Sequence, residues 1–126
     1  MKAIFALILT MFLFLSGCGG NAMENTYQQI TQEKAKEMMD TMEVIVLDVR
    51  EQEEFDAGHI ASAVLLPVGA ITEATAAAVI PEPDSVVLVY CRSGNRSKTA
   101  SSALVELGYT NVYEFGGIIT WPYGVE

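Results

Sequence analysis

Val86-Val87-Leu88-Val89-Tyr90-Cys91-Arg92-Ser93-Gly94-Asn95-Arg96-Ser97 reads as a strand, a turn and the start of a helix. Val86 to Tyr90 is β-branched, aliphatic and aromatic, with no polar residue alternating in. A strand of that kind is covered on both faces, as strands of parallel sheets are. Small residues then follow along one side of a helix from Ser97 to Leu107, closed by Gly108. Ligands of open parallel sheets bind beyond the carboxyl ends of the strands. Cys91 is the first residue past that end.

The segments on either side repeat the alternation. Upstream, Tyr27 to Ile30 is a short extended lead-in, and Thr31 caps a helix from Gln32 to about Asp40. Val44-Ile45-Val46-Leu47 is a second buried strand. Glu51 to Ala57 is a short acidic helix stopped by Gly58, and Ala63-Val64-Leu65-Leu66 a strand stopped by Pro67. Ile71 to Ile80 is helical up to Pro81. Downstream, Val112-Tyr113-Glu114-Phe115 is the last strand and Ile118 to Trp121 a closing turn. Strands alternating with helices define an α/β domain. The expected domain spans residues 27–121, with a C-terminal tail at 122–126.

The chain has 126 residues with a formal net charge of -9, from 16 acidic and 7 basic side chains. That sign argues against nucleic acid, whose phosphates need a basic surface. Apolar residues make up 51% and charged ones 18%, a globular balance. Two cysteines cannot form a disulfide framework.

Part of the apolar share lies in one N-terminal block. Met1-Lys2 is a positive start, and Ala3 to Leu15 then contains Thr10 as its one polar residue. As a helix this run would be roughly 20 Å long, short of a ~30 Å hydrocarbon core. The block therefore reads as an export signal. Leu15-Ser16-Gly17-Cys18 resembles the bacterial lipoprotein lipobox. The resemblance implies cleavage of a signal peptide at 1–17, lipid such as palmitate on Cys18, and a tether over 18–26. Loss of Lys2 makes the mature chain one unit more negative. The implied location is a bacterial membrane, with the domain on its periplasmic or extracellular face. Cys91 would then be the lone thiol, either buried and inert or chemically used.

Its surroundings favour use. Arg92, Arg96 and Lys98 place three of the seven basic residues within seven positions of an acidic chain. A short turn around Gly94 can aim successive backbone N–H groups inward, and a helix N-terminus adds partial positive charge. A thiol there is stabilised as thiolate, in settings where cysteine pKa values reach roughly 3.5–7.5. The plainer reading is a core cysteine beside a solvated basic turn. A core cysteine belongs inside the strand rather than at its exit. With one His and one such Cys, no metal-ligand cluster or metal site is read, and no cofactor is expected.

The loop Cys91-Arg92-Ser93-Gly94-Asn95-Arg96-Ser97 resembles the active-site loop of the rhodanese family of thiosulfate sulfurtransferases, written Cys-Arg-x-Gly-x-Arg-Ser/Thr. Leu47-Asp48-Val49-Arg50, Glu54-Phe55 and Gly58-His59-Ile60 resemble the family's second signature, and Gly116-Gly117-Ile118-Ile119-Thr120-Trp121 its closing segment. The resemblance implies a rhodanese-like fold, a five-stranded, mostly parallel sheet with helices on both faces. It also implies a reaction without a cofactor. Cys91 takes the sulfane sulfur of a donor such as thiosulfate as a persulfide, then yields it to cyanide or a thiol.

Within that frame Arg92 and Arg96 are expected to attract an oxyanion donor. Ser93 and Asn95, at variable loop positions, face the entrance. Asp48 is expected to support the site by accepting hydrogen bonds from the loop or from Ser97, and Arg50 to pair with Glu54. His59 and Trp121 read as structural. Two rival functions remain. A rhodanese module can carry persulfide sulfur to a protein partner, or bind without catalysis. A cysteine-dependent phosphatase or arsenate reductase would need a wider cradle, Cys-x5-Arg, where this chain has Cys-x4-Arg.

Overall fold

The computed structural model describes residues 26–126; the expected signal segment, Cys18 and the tether through residue 25 lie outside the described residues. Five strands form one sheet. They are β1 (Gln28–Gln29), β2 (Ile45–Asp48), β3 (Val64–Leu65), β4 (Val86–Cys91) and β5 (Asn111–Gly117), in the order β1-β5-β4-β2-β3. Every pairing is parallel. The two-residue lead-in at Gln28–Gln29 is thus an edge strand against β5. Four helices connect the strands: α1 (Gln32–Thr41), α2 (Gln52–Ala57), α3 (Glu73–Val79) and α4 (Asn95–Glu106). Among the described residues no helix is long and apolar enough to cross a membrane.

Strand side chains point alternately to opposite faces. Val87, Val89 and Cys91 of β4 therefore share one face with Leu47 and Val49, packed under Ala76 and Ile80 around α3 and Ala100 and Leu104 of α4. Leu88 and Tyr90 take the other face with Val46 and Phe115, under Ala35 and Met38 of α1 and beside Ile60. Two-sided cover explains why β4 carries no alternation, since Val87 to Cys91 are all buried and Val86 is half-buried. Each fully buried Leu or Val contributes about 1.5–3 kcal/mol.

Local chemistry sets the helix ends. The Thr31 hydroxyl accepts from the Lys34 N–H at 3.0 Å, as expected of a cap. The third helix starts at Glu73 rather than Ile71. Thr72 and Thr75 form a reciprocal capping box there, and Val68–Ala70 makes a separate single turn. The helix after the loop starts at Asn95, two residues before the expected Ser97. Gly94, in the left-handed region at φ 106°, turns the chain directly into it. The tail folds back: the Glu126 N–H donates to the His59 carbonyl at 2.8 Å and the His59 N–H to the Glu126 carbonyl at 2.9 Å.

β5 runs past Phe115 to Gly117 and holds an irregularity. Val89 opposes Glu114, yet Cys91 opposes Gly117, so β5 spends one extra residue in that interval. This is a β-bulge, with Gly116 at φ 93°. It lies beside the end of β4.

Candidate active site

Cys91 ends β4 with its side chain toward α4, 1% exposed. The Gly94 N–H donates to its sulfur at 3.0 Å. The Cys91 thiol lies 3.4 Å from the Ser97 Oγ and donates to it. Burial pushes this thiol up. The Ser97 hydroxyl and the backbone N–H groups of Ser97, Gly94 and Ser93 favour the thiolate and outweigh burial, so the thiol lies below its ordinary range. These donors supply what the sequence anticipated of an inward-turned loop.

The loop is held from below. Its backbone crosses β5 at Gly117, where a Cβ would come within 2.0 Å of the Arg92 carbonyl oxygen, so any larger residue would lift the loop. The Ile119 N–H donates to that same carbonyl at 3.2 Å. Gly117 and the segment Ile118–Thr120 thus form the floor on which Arg92 and Ser93 rest. Arg92, Ser93, Asn95 and Lys98 are exposed at the rim, and Gly94 is buried.

The ion pairs differ from expectation. Arg96 grips Glu54 with two hydrogen bonds, Nη1 to Oε1 at 2.7 Å and Nη2 to Oε2 at 2.9 Å. A two-pronged guanidinium–carboxylate contact is strong and directional. These bonds draw Glu54 down to about 2. Arg96 is therefore matched by a carboxylate, while Arg92 is the exposed guanidinium of the loop. The expected Arg50–Glu54 pair does not form. Arg50 turns to Asp48, with Nη2 to Oδ2 at 2.7 Å and Nε to Oδ1 at 2.9 Å.

Asp48 likewise does not reach the loop or Ser97. Strand alternation puts it on the α1 face with Val46 and Tyr90, across the sheet from Ser97. There it accepts from the Tyr90 hydroxyl at 2.6 Å and the Arg50 backbone N–H at 3.0 Å. Tyr90 in turn accepts from the Ile60 N–H at 3.1 Å, and Arg50 donates to the Gly58 carbonyl at 2.8 Å. Burial, with Asp48 adding to it, pushes the Tyr90 phenol up. This network ties the ends of β2 and β4 to the turn after α2. His59 belongs to the same turn: its ring stacks on Phe55 with centroids 3.8 Å apart, and its Nδ1 contacts the Phe55 carbonyl at 3.0 Å.

The group that does hold Ser97 is Glu114, which the sequence reading passed over. Glu114 is 2% exposed, and its Oε2 accepts from the Ser97 hydroxyl at 2.6 Å. The same oxygen accepts from the Gly116 N–H at 2.8 Å, a bond made possible by the bulge. Its signal was available: a lone acid inside Val112-Tyr113-Glu114-Phe115, in step with buried Val112 and so on the α4 face.

The chain matches the family described as Rhodanese-like domain over residues 31–121. It is 35% identical over 96 residues to the thiosulfate sulfurtransferase GlpE of Coxiella burnetii, covering 75% of this chain and 87% of that one. It is 38% identical over 72 residues to the thiosulfate sulfurtransferase PspE of Escherichia coli, covering 57% of this chain and 68% of the relative. Among solved structures, a rhodanese-related protein from Thermoplasma volcanium superposes with a TM-score of 0.65 at 34% identity, covering 79% of this chain and 98% of that one. A rhodanese from E. coli solved with anions superposes at 0.62 and 28% identity, covering 67% of this chain and 98% of the other.

Proposed function

The chain belongs to the rhodanese-like family of sulfurtransferases, and from that premise we propose that it moves a sulfane sulfur through a persulfide on Cys91. The observation that carries this reading is the sulfur at the head of a loop whose Gly94 N–H reaches it at 3.0 Å. Cys91 thiolate attacks the outer sulfur of a donor such as thiosulfate. The S–S bond of the donor breaks, and sulfite leaves with its electron pair. The new persulfide is anionic, and the fixed N–H dipoles of the loop hold its charge without rearranging. A thiol or cyanide then takes the terminal sulfur and returns Cys91 as thiolate.

Arg92 is the loop cation free to meet an oxyanion donor at the rim. Arg96 acts differently: tied to Glu54, it fixes the first turn of α4 onto α2 and thereby the loop before it. A thiosulfate donor fits this arrangement, since its charged oxygens face an exposed guanidinium while its outer sulfur points at the buried thiol.

Intact-mass measurement tests the reaction directly. The full chain treated with thiosulfate is expected to gain one sulfur atom, located on the peptide that contains Cys91 and removed by cyanide. A protein that gains no sulfur, or gains it elsewhere, refutes this reading.

We also propose that Cys18 is lipidated and anchors the domain to a bacterial membrane, facing the periplasm or the cell exterior. The support is the charged start, the apolar run Ala3 to Leu15 and the Leu15-Ser16-Gly17-Cys18 stop. The acidic chain repels anionic headgroups, so the attachment rests on lipid, and two acyl chains or more anchor stably where one is marginal. Radiolabelled palmitate is expected to enter the wild type and to be absent from Cys18→Ala, which leaves the membrane fraction. Unlabelled, soluble wild-type protein in the native host would overturn the anchor and leave the sulfur chemistry standing.

A further inference from the structure

Among the described residues the buried charged side chains are Asp48, Arg50 and Glu114. Asp48 and Arg50 neutralise each other. Glu114 makes no ion pair among the described residues, and the sulfur transfer above does not use it. Its Oε2 takes the Ser97 hydroxyl at 2.6 Å and the Gly116 N–H at 2.8 Å, and its Oε1 takes the Gln29 amide at 3.3 Å. A buried carboxylate without a cation costs stability. This one is a single hydroxyl away from the thiol.

Ser97 owns one hydrogen and has two neighbours that compete for it. A carboxylate can only accept. The short bond to Glu114 therefore claims the hydrogen, and Ser97 turns a lone pair to the sulfur, where it accepts the Cys91 S–H at 3.4 Å. If the thiol lost its proton to solvent, a thiolate would face that lone pair with a second buried anion behind it. Arg96 could not compensate both, being already matched to Glu54. Passing the proton inward avoids the conflict. Ser97 can then donate to the thiolate, because its former hydrogen has gone to Glu114.

We propose that Cys91, Ser97 and Glu114 form a proton relay in which Glu114 stores the thiol proton while Cys91 carries sulfur. The proposal rests on Cys91 being the reacting group. In the forward step the S–H bond breaks and an O–H bond forms at Ser97. The original Ser97 O–H bond breaks and one forms at Glu114 Oε2. The site keeps one negative charge throughout: on Glu114 at rest, on the thiolate, then on the persulfide. When the acceptor takes the terminal sulfur, the bonding pair returns to Cys91 and the relay runs backwards. Thiosulfate and cyanide become sulfite and thiocyanate with no net proton exchanged. Glu114 touches neither donor nor acceptor, so it is a positioning residue that works through Ser97.

The groups that face Glu114 are few. α4 presents Ser97 and, at the rim of a hollow of about 360 Å³ that Glu114 helps line, Lys98. β1 presents Gln29 and α1 presents Gln32, both neutral. β4 presents Val89 opposite Glu114, and Cys91 two residues on.

Glu114→Gln tests the relay. Its amide oxygen can still accept from Ser97 and Gly116, but it cannot take a proton. The measurement is the rate of Cys91 alkylation by iodoacetamide against pH, in the full chain carrying Cys18→Ala so that Cys91 is the sole thiol. Coupled groups titrate in two steps. Wild type is expected to hold a pH-independent plateau of reactivity below the ordinary cysteine range and to rise again above it. Glu114→Gln is expected to lose the plateau and titrate in a single step, at or above the wild-type rate near pH 6 because no buried carboxylate then opposes the thiolate, and to converge with wild type at high pH. Ser97→Ala, which cuts the wire and leaves Glu114 in place, should lose the plateau too. Matching profiles, or curves offset by one factor at every pH, would reduce Glu114 to a packing role and overturn the relay. A measurement on wild type needs no refolded variant at this site: the infrared difference between resting and persulfidated protein should gain a protonated-carboxyl C=O band. Absence of that band also overturns the proposal. A plateau in a protein that takes up no sulfur would uphold the relay and refute the sulfurtransferase reading.

Discussion

Replacing Cys91 by Ala is expected to abolish sulfur transfer from thiosulfate to cyanide while leaving the domain folded. Losing the nucleophile of a covalent mechanism costs roughly 10⁴-fold or more in turnover. No second thiol stands in for it, because Cys91 is the one cysteine among the described residues. The fold should tolerate the change. Cys91 packs at the end of β4 rather than in mid-strand, and Ala keeps the strand while deleting a single sulfur. Cys91→Ser is the closer isostere and should be equally inactive, since a hydroxyl is not ionised by the same donors. The check is transfer activity beside circular dichroism of the purified variants. More than about a hundredth of wild-type turnover in a folded Cys91→Ala protein would exclude the persulfide mechanism.

The largest effect on stability is expected from Asp48→Ala. Arg50 is 5% exposed, and Asp48 accepts three of its N–H groups, backbone included. Burial works against the Arg50 charge, and the Asp48 contacts outweigh it, so the guanidinium stays firmly protonated. Truncating Asp48 leaves that cation buried and unpaired, a loss of about 3–5 kcal/mol. The Tyr90 hydroxyl loses its acceptor at the same time. For a domain of this size such a loss lowers Tm by roughly 15–30 °C, a large share of a total stability of about 5–15 kcal/mol. Asp48→Asn, which keeps an acceptor oxygen, should lose less. Because Asp48 lies across the sheet from Ser97, molecules of either variant that remain folded at low temperature should transfer sulfur normally. A Tm within a few degrees of wild type would show that water enters and solvates Arg50. Normal stability with lost transfer would place Asp48 in the site after all.

The Asp48 result bears on what a chain of residues can reveal by itself. Order of elements was legible: the apolar run Val86–Tyr90, the caps at Thr31 and Gly108 and the stops at Pro67 and Pro81 are short-range effects that neighbouring residues decide. So was the make-up of the loop, because a strand exit, a central glycine, two arginines and a thiol stand within seven positions. Pairing between charges was not legible. Arg50 and Glu54 have helical spacing and the right signs, yet Glu54 binds Arg96, 42 positions away, and Arg50 turns back to Asp48.

The physical reason is the sheet. Its order places β4 between β2 and β5, so residues from three strands meet at one edge, and side-chain alternation then assigns each to a face. Asp48 and Glu114 are both acids at strand positions next to β4. Parity sends Asp48 to the α1 face with Tyr90 and Glu114 to the α4 face with Ser97. The bulge in β5 completes the assignment by aiming the Gly116 N–H at Glu114. The sequence alone determined the fold and singled out the loop that begins at Cys91; only the tertiary structure decided which buried acid stands behind it. A hydrogen bond between residues 17 or 42 positions apart exists only once strand order and register have been chosen.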